Sequence, residues 1–246
     1  MENAPFFVKR DEAGFTATIT LSRPDQGNRL MTEDVSALGQ AIRECGADPA
    51  VKAVLIRAQG EHFCLGRDPG PPTTKPKSAL AMRTGVTQPI LDLYADIRAT
   101  PVPVIAVVQG EARGFGCAMV GQCDLSIAAE GTTFSLPEMD TNLPPTLAIS
   151  AVLGKVPPKR LMHLVYTRTK IGAAEALELG FLSEVVPAEK LDAAVAATLA
   201  KLTDRSRPAI AAVKEYLAVA PHMDPDAAAR YASTLLSVVL SSKDAG

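Results

Sequence analysis

The chain has 246 residues, a length that suits one large domain or one domain with a small appendage. Its 25 basic and 27 acidic side chains give a formal net charge of −2 and a pI near 6.0, so no basic surplus indicates a nucleic-acid partner. No apolar run reaches the ~18 residues of a membrane span, and the first residues lack a signal-peptide core, so we expect a cytoplasmic protein with no membrane partner.

The cysteine and histidine patterns give no indication of a disulfide-stabilised protein or of a metal site. No cysteines form a Cys-x-x-Cys pair, so we expect reduced, mostly buried thiols at Cys45, Cys64, Cys117 and Cys123. No metal-ligand spacing links the three histidines, His62, His163 and His222.

The first half of the chain predicts alternating strands and helices. Residues 15–24 alternate between apolar and polar side chains, as a strand does, and residues 32–45 have a helical period with Thr32 as the expected N-cap. Apolar runs predict buried strands at 51–58, 102–109 and 123–130. A helix is expected over 88–97 and a short extended piece over 132–139. This is an α/β pattern.

The second half is almost entirely helical in pattern. The helices are predicted at 157–166, 172–179, 189–203, 208–219 and 224–241, with a short extended link over 181–187. We therefore expect an α/β core over 1–190 and a helical C-terminal region over 191–246. The proline-rich stretch 68–78 is expected to be an irregular surface segment, plausible as a mobile lid.

A glycine-rich turn, "GEARGFGCAMVGQCD" at 110–124, links one predicted strand to a helix and a further strand. Taken alone, such a turn also fits a purely structural role, in which glycines permit tight packing. A dinucleotide-binding loop fits less well, because Met119 stands where its third glycine belongs. A second turn, "EHFCLGRD", lies at 61–68. Two such turns in one chain favour a functional role over a purely structural one.

These two turns, together with "FSLPEMDTNLPP" at 134–145, resemble motifs of the crotonase superfamily, the enoyl-CoA hydratase/isomerase group. Weaker similarities near both ends extend the resemblance over roughly residues 5–215. The resemblance implies a twisted spiral of ββα units that assembles as a homo-oligomer, a trimer or a dimer of trimers. It implies that the helical region over 191–246 serves oligomerisation and closes the pocket. It also implies a coenzyme A thioester as substrate, with no other cofactor bound.

The implied chemistry converts a thioester to an enolate, whose oxygen is stabilised by two backbone N–H groups. By the motif match, these donors are the N–H groups of Arg67 and Phe115. Phe115 departs from the glycine that is usual in the family.

Hydratases of the family use two glutamates, and the matching positions here are Ala118 and Glu138. One carboxylate can shuttle a proton between two carbons, whereas water addition usually needs both. The sequence therefore favours isomerase chemistry, with Glu138 as the acid/base, over hydration. Glu111 and Asp140 are the alternative acids, for which we expect loop roles.

The match also predicts which residues bind the CoA portion, namely Gln26, Gly27, Cys64, Leu65, Gly66 and Gly114. Pro144 and Pro145 depart from the usual pattern where the acyl end of the pocket is expected. Thioester hydrolysis, decarboxylation and C–C cleavage stay open as alternative reactions, as does a CoA-binding protein with impaired catalysis. An RNA-binding role is disfavoured by the acidic pI.

Overall fold

The computed structural model describes residues 4–70 and 76–242. The strands in these ranges are β1 (Phe6–Arg10), β2 (Thr16–Leu21), β3 (Ala53–Ala58), β4 (Val104–Val108), β5 (Glu111–Arg113), β6 (Leu125–Ala129), β7 (Thr133–Ser135), β8 (Ile171–Gly172) and β9 (Glu184–Val186). The helices are α1 (Thr32–Ala47), α2 (Ala79–Met82), α3 (Gln88–Ala99), α4 (Phe115–Gln122), α5 (Thr146–Val152), α6 (Pro158–Thr167), α7 (Ala173–Glu178), α8 (Leu191–Thr203), α9 (Arg207–Val219) and α10 (Pro225–Ser241).

A six-stranded sheet in the order β1-β2-β3-β4-β6-β9 forms the centre of the fold. Only β1 pairs antiparallel to its neighbour, and the remaining neighbours are parallel. Parallel strands need helical crossovers, which explains the alternation of strands and helices along the chain.

Both faces of this sheet are covered. Val54 and Ile56 of β3 belong to the larger apolar core, whereas Leu55 belongs to a smaller one that includes Leu191 and Val195 of α8. Because side chains alternate across a strand, an unbroken apolar run indicates a strand buried on both sides. The runs identified in the sequence are of this kind.

A second, three-stranded sheet, β5-β7-β8, sits beside the ends of the central strands. Within it β5 and β7 are parallel, so that Arg113 pairs with Ser135. The chain leaves β5 directly into α4 and leaves β7 into the turn that carries Glu138. The small sheet thus brings two of the predicted site segments side by side.

The C-terminal helices are tied to the sheet by buried polar contacts. The Lys214 ammonium of α9 is buried and donates to the carbonyl oxygens of Ile97 (2.8 Å) and Val102 (3.0 Å). It also lies 2.7 Å from Oδ2 of Asp124, which accepts the N–H of Val104. A buried ammonium with three oxygen partners fixes α9 against the region between α3 and β6.

Most of the predicted elements are confirmed, including helix α3 and the five C-terminal helices. Strand β1 was not predicted, because its largely exposed side chains end in a charged Lys-Arg pair. The expected N-cap at Thr32 is wrong: Met31 is the N-cap, and its N–H donates to Asp34 Oδ2 (2.9 Å). The four cysteines are buried and free, as predicted.

The structure does not test two further expectations, the lid and the division of the chain into two regions. Residues 71–75 of the expected lid lie outside the described residues, so the lid stays a prediction. The division of the chain at residue 190 also stays a prediction. No helix in the described ranges is long and apolar enough to cross a bilayer.

Candidate active site

The first predicted turn, residues 64–68, is held by backbone hydrogen bonds to Leu30. Leu30 donates its N–H to the Gly66 carbonyl (3.3 Å) and accepts the N–H of Asp68 (2.9 Å). In an extended strand successive backbone groups point to opposite sides, so the N–H of Arg67 points away from Leu30. It has no partner among the described residues, and it is therefore available to a ligand.

The second turn begins where β5 meets α4. Gly114 has a φ of +53°, a conformation that side chains other than glycine rarely adopt, and it lets the chain reverse into the helix. Phe115 is the first residue of α4, and the first N–H groups of a helix have no intrahelical partner. Among the described residues its N–H has no hydrogen-bond partner, so it is a second free donor at a helix N-terminus, where an anion is favoured.

Backbone hydrogen bonds join the two turns. Cys64 donates to Glu111 (3.3 Å), and Arg113 donates to Cys64 (2.9 Å). A Cβ at Gly116 would overlap the carbonyl oxygen of Cys64, so only glycine permits this approach. The structure therefore brings the two predicted donors into one region of the molecule.

The phenylalanine at position 115 does not obstruct the turn. Its side chain is buried and belongs to the larger apolar core. Only its backbone is required at the turn, which explains why a large residue is tolerated between Gly114 and Gly116.

Glu138 lies directly against the second turn. A Cβ on Gly114 would lie 3.0 Å from Glu138 Oε1. The carboxylate follows Pro137 and opens a 3-10 turn over Glu138–Thr141. Its Oε2 is buried and has no hydrogen-bond partner in the described residues. An unpartnered buried carboxylate oxygen is costly for stability and is a common feature of functional sites.

Burial raises the pKa of Glu138, because it penalises the charged form. A hydrogen bond from its own backbone N–H and the nearby Arg113 guanidinium act in the opposite direction. The net result is a pKa above the ordinary value for glutamate. A carboxyl group of this kind can take up and release a proton closer to neutral pH.

The other acids of this region are paired with cations. Glu111 lies 2.9 Å from Lys170, and Asp140 lies 2.9 Å from Arg168. Asp68 accepts the N–H of Gly70 and holds its turn. The Oε1 of Glu111 takes part in its ion pair with Lys170 but in no hydrogen bond, whereas the Oε2 of Glu138 has neither a hydrogen bond nor an ion pair among the described residues.

Ala118 is completely buried in α4. No carboxylate occupies the position where the family's hydratases have their first glutamate. Beside it, the thiol of Cys117 is buried, and burial together with the charge of Glu138 raises the pKa of Cys117 to about 12. This thiol is protonated at neutral pH and is not a nucleophile.

The residues predicted to bind CoA form a continuous strip. Leu65 donates its N–H to the Gly27 carbonyl (2.9 Å), and a Cβ at Gly27 would meet the Leu65 side chain. Gln26 is exposed beside this contact, whereas Cys64 is fully buried. Gly66 continues the strip to Gly114 and the second turn.

The side chain of Arg67 is half-buried rather than solvent-facing. Its guanidinium donates to the Thr32 hydroxyl (2.7 Å), and its Nε has no partner in the described ranges. Burial lowers the pKa of Arg67, although Glu33 and Asp68 oppose this shift. The side chain is thus held on α1, which leaves the backbone N–H of Arg67 as its contribution to the turn.

An apolar groove of about 320 Å³ opens beside the Glu138 turn. Its lining includes Met139, Pro144, Pro145, Ile149, Met162 and Tyr166. The two prolines that depart from the family pattern therefore line an apolar space close to Glu138.

Sequence reasoning missed two features of this region. Tyr94 on α3 is buried, and burial, Cys117 and Glu138 raise its pKa. Its only signal in the sequence was a hydroxyl on an otherwise apolar helix face. The Lys170 partner of Glu111 gave no signal, because the two residues are 59 positions apart. Among the described residues, no cluster of histidine, cysteine and acidic side chains could hold a metal ion.

A mixed α/β scaffold with paired glycine turns and one buried carboxylate is a suitable site for chemistry at an acyl thioester. The sequence pattern of the enoyl-CoA hydratase/isomerase family matches residues 12–245. The chain belongs to this family and is an enzyme of the hydratase/isomerase type.

Relatives and solved structures agree with this assignment. The chain is 31% identical to the Mycobacterium tuberculosis protein echA8 over 209 residues, 85% of this chain and 79% of that protein. It is 29% identical to enoyl-CoA hydratase domain-containing protein 3 of Danio rerio over 218 residues, 89% of this chain and 75% of that protein.

The fold is the crotonase fold. The enoyl-CoA hydratase of Mycobacterium smegmatis superposes with a TM-score of 0.93 at 28% identity, covering 99% of this chain and 93% of that one. A Thermobifida fusca YX protein solved in complex with CoA superposes with a TM-score of 0.86 at 29% identity, covering 97% and 93%.

Proposed function

We propose that this enzyme isomerises enoyl-CoA thioesters, with Glu138 as the single acid/base and the N–H groups of Arg67 and Phe115 as the oxyanion hole. The observation that carries the proposal is the Glu138 carboxylate, whose Oε1 lies against Gly114 at the turn that presents the Phe115 N–H and whose Oε2 has no hydrogen-bond partner among the described residues. The family acts on CoA thioesters, and a solved relative binds CoA.

The proposed reaction moves one proton across one face of the acyl chain. The Glu138 carboxylate takes a proton from C2 of a 3-enoyl thioester, and the electron pair spreads into a dienolate whose charge gathers on the thioester oxygen. The two N–H groups donate to this oxygen, as in other preorganised oxyanion holes. Protonated Glu138 then returns the proton to C4, which leaves the double bond between C2 and C3.

The raised pKa of Glu138 suits both halves of this cycle. A carboxylate of ordinary pKa would take a proton from carbon less readily, and a much more basic one would not return it. The apolar groove that begins at Met139 supports a hydrocarbon acyl group.

Hydration of a 2-enoyl thioester is the second candidate. The names of the relatives favour it, because echA8 and the M. smegmatis protein are described as enoyl-CoA hydratases. The buried Ala118 favours isomerisation, since water addition usually relies on a second carboxylate.

The deciding experiment compares wild type, Glu138→Gln and Asp140→Asn on three substrates: a 3-enoyl-CoA, a 2-enoyl-CoA and a saturated acyl-CoA. We expect Glu138→Gln to lower isomerisation about 10²–10⁴-fold while acyl-CoA affinity changes little, because the amide keeps the shape but cannot take a proton. Asp140→Asn is the matched control: it removes an acid from the same turn and should retain at least a third of the activity.

Each alternative has its own signature in this experiment. Efficient hydration that exceeds isomerisation would replace the proposal with a hydratase. Release of free CoA from the saturated thioester would indicate a hydrolase. Tight binding of all three thioesters without turnover would indicate a CoA-binding protein that has lost catalysis.

A further inference from the structure

The inference concerns Arg29, which precedes α1 and reaches the first glycine turn. Its Nη1 donates to the carbonyl oxygen of Leu65 (2.9 Å), and a Cβ on Gly66 would lie 3.9 Å from the same nitrogen. No carboxylate within the described ranges forms an ion pair with this guanidinium. Arg29 is therefore tied to the turn that presents the Arg67 N–H rather than to a neighbouring acid.

The donor at Arg67 depends on the orientation of one peptide plane. The Gly66 carbonyl and the Arg67 N–H belong to the same planar trans peptide, so they point in opposite directions. The carbonyl accepts the N–H of Leu30 at 3.3 Å and the thiol of Cys64 at 3.5 Å. The first distance is long for a backbone hydrogen bond, and a thiol is a weak donor. The bonds that hold this plane are therefore weak.

Two rotations at Gly66 set the direction of the Arg67 N–H. The φ of Gly66 is +112°, and glycine, which has no side chain, permits a wide range of both φ and ψ. A change in φ swings the following peptide as a rigid unit, and a change in ψ turns it about its own end. Either change aims the N–H away from the oxygen that it should stabilise, and donor geometry decides the strength of an oxyanion hole.

Arg29 opposes the first of these rotations. The peptide before Gly66 carries the Leu65 carbonyl, to which the guanidinium donates, and the N–H of Leu65 donates to the Gly27 carbonyl (2.9 Å). A hydrogen bond from a charged donor is stronger than one between neutral groups. The peptide before Gly66 is therefore held more firmly than the one after it, and it fixes the direction from which the Arg67 N–H is aimed.

The backbone at Arg29 is fixed in turn by its neighbour Asn28. The Asn28 side chain is buried and donates to the carbonyl oxygens of Gln59 (2.9 Å) and His62 (2.8 Å), in the segment that leads into the first turn. Its φ of +53° is uncommon for a residue other than glycine. The guanidinium of Arg29 thus extends from a part of the chain that is itself bonded to the turn segment.

We propose that Arg29 is a positioning residue of the oxyanion hole, whose bond to the Leu65 carbonyl holds the Arg67 N–H in the direction that catalysis requires. Arg29 acts through this N–H and touches no reacting atom. The inference rests on the proposed function, because it takes the Arg67 N–H as an oxyanion donor. Removal of such a residue lowers kcat and leaves ground-state binding largely unchanged.

The test measures turnover of a 3-enoyl-CoA and a 2-enoyl-CoA by wild type, Arg29→Met and Arg29→Lys. Loss of a whole oxyanion donor costs about 10²–10³-fold in kcat, and a misaimed donor loses part of this. Methionine keeps the stem of Arg29 and removes its donors, so kcat should fall about tenfold while KM stays within about twofold. Lysine can still donate to the Leu65 carbonyl and should restore kcat to within about threefold of wild type.

Arg207→Met is the matched control. The Arg207 guanidinium also donates to two backbone carbonyls, those of Val51 and Gly46, and Gly46 lies at the opposite end of α1 from the turn. Its loss should lower the Tm and leave kcat unchanged. Full kcat in Arg29→Met would overturn the inference, and so would a raised KM with unchanged kcat, because that result would place the guanidinium on the bound thioester.

A double change separates positioning from any other role of Arg29. Arg67→Pro removes the donor that Arg29 positions, so adding Arg29→Met to it should lower kcat no further. A further tenfold loss in the double variant would overturn the inference, since Arg29 would then act elsewhere than through this N–H.

These outcomes are separate from the fate of the proposed function. Full turnover in Arg67→Pro would refute the oxyanion role of Arg67, and with it the proposed function, whatever Arg29→Met does. Loss of turnover in Arg67→Pro, together with full turnover in Arg29→Met, would refute only the role of Arg29.

Discussion

The carboxylate of Glu138 lies against the backbone of Gly114, with Oε1 3.0 Å from the position where a Cβ would stand. One glycine thus serves two purposes. It gives the chain the positive φ needed to enter α4, and it leaves space for the carboxylate beside the first N–H of that helix.

Replacing Gly114 by alanine should therefore affect catalysis more than folding. The methyl group would push Glu138 away from the turn, and we expect kcat to fall at least tenfold. Gly131→Ala is the matched control, because Gly131 also has a positive φ (+82°) but a Cβ there meets nothing within 4 Å. Both variants should lose stability in thermal melting, and only Gly114→Ala should lose kcat. Equal activity in the two variants would contradict the placement of Glu138.

A proline at position 67 tests the first oxyanion donor. The Arg67 N–H bonds to nothing in the described chain, so its removal breaks no protein hydrogen bond, and the fold should survive. Turnover should fall about a hundredfold or more, because one oxyanion donor is lost. Arg67→Ala keeps the N–H and should stay within about tenfold of wild type, with a lower Tm from the lost contact to Thr32. Similar losses of turnover in both variants would argue against a backbone role.

The pH dependence of kcat/KM reports the charge of Glu138. Its pKa is raised, so the carboxylate form, and with it the activity, should appear as pH rises through a midpoint above the ordinary glutamate range. Arg113 lowers this pKa, so Arg113→Gln should move the midpoint to higher pH. Arg168→Gln, which removes a guanidinium paired with Asp140 instead, is the control. A midpoint that moves downward in Arg113→Gln would contradict this electrostatic account.

The same shift predicts an effect on stability. A raised acid pKa means that the ionised carboxylate destabilises the folded state above that pKa, and that the penalty disappears as pH falls through it. Glu138→Gln should therefore raise the Tm at neutral pH, and the gain should shrink in acid. Differential scanning calorimetry of the two proteins across pH measures this directly. A Tm lowered at neutral pH would show that the carboxylate is stabilised by contacts that the structure does not contain.

Helix α10 predicts assembly into an oligomer. In the single chain it contacts α9 and buries none of its residues, and its outer face exposes Leu236 and Leu240, one helical turn apart. An apolar face of this kind usually meets another protein surface. We expect a trimer or hexamer by light scattering, dissociated by the double change Leu236→Ser and Leu240→Ser. Leu177→Ser, at another exposed leucine, should leave assembly intact, and a soluble wild-type monomer would contradict the prediction.

The parts of the fold that the sequence predicts are those with a local signal. Strand β4 is apolar along its whole length, because both of its faces are covered, and the helix over Gln88–Ala99 has a clear apolar face. Strand β1 escaped prediction, because its stability comes from pairing with β2 rather than from its own pattern.

The candidate site likewise has parts with a local sequence signal and parts without one. The glycine turns and Glu138 were predicted because their motifs are contiguous in the chain. The ion pair of Glu111 with Lys170 and the burial of Tyr94 depend on distant segments, and no local pattern reports them. Phe115 fits the turn because its side chain is buried in the larger apolar core, and the sequence does not show this burial.

The three oxygen partners of Lys214 have a consequence for how the protein is made. Ile97, Val102 and Asp124 are synthesised about a hundred residues before the lysine that they bind. Until α9 leaves the ribosome, these two carbonyls and one carboxylate lack their cation, at the sheet end next to α4. The nascent chain should therefore complete this part of the fold late in translation. A ribosome stalled before residue 214 should display a chain whose α4 region is still open to proteases, and one stalled well beyond α9 should not.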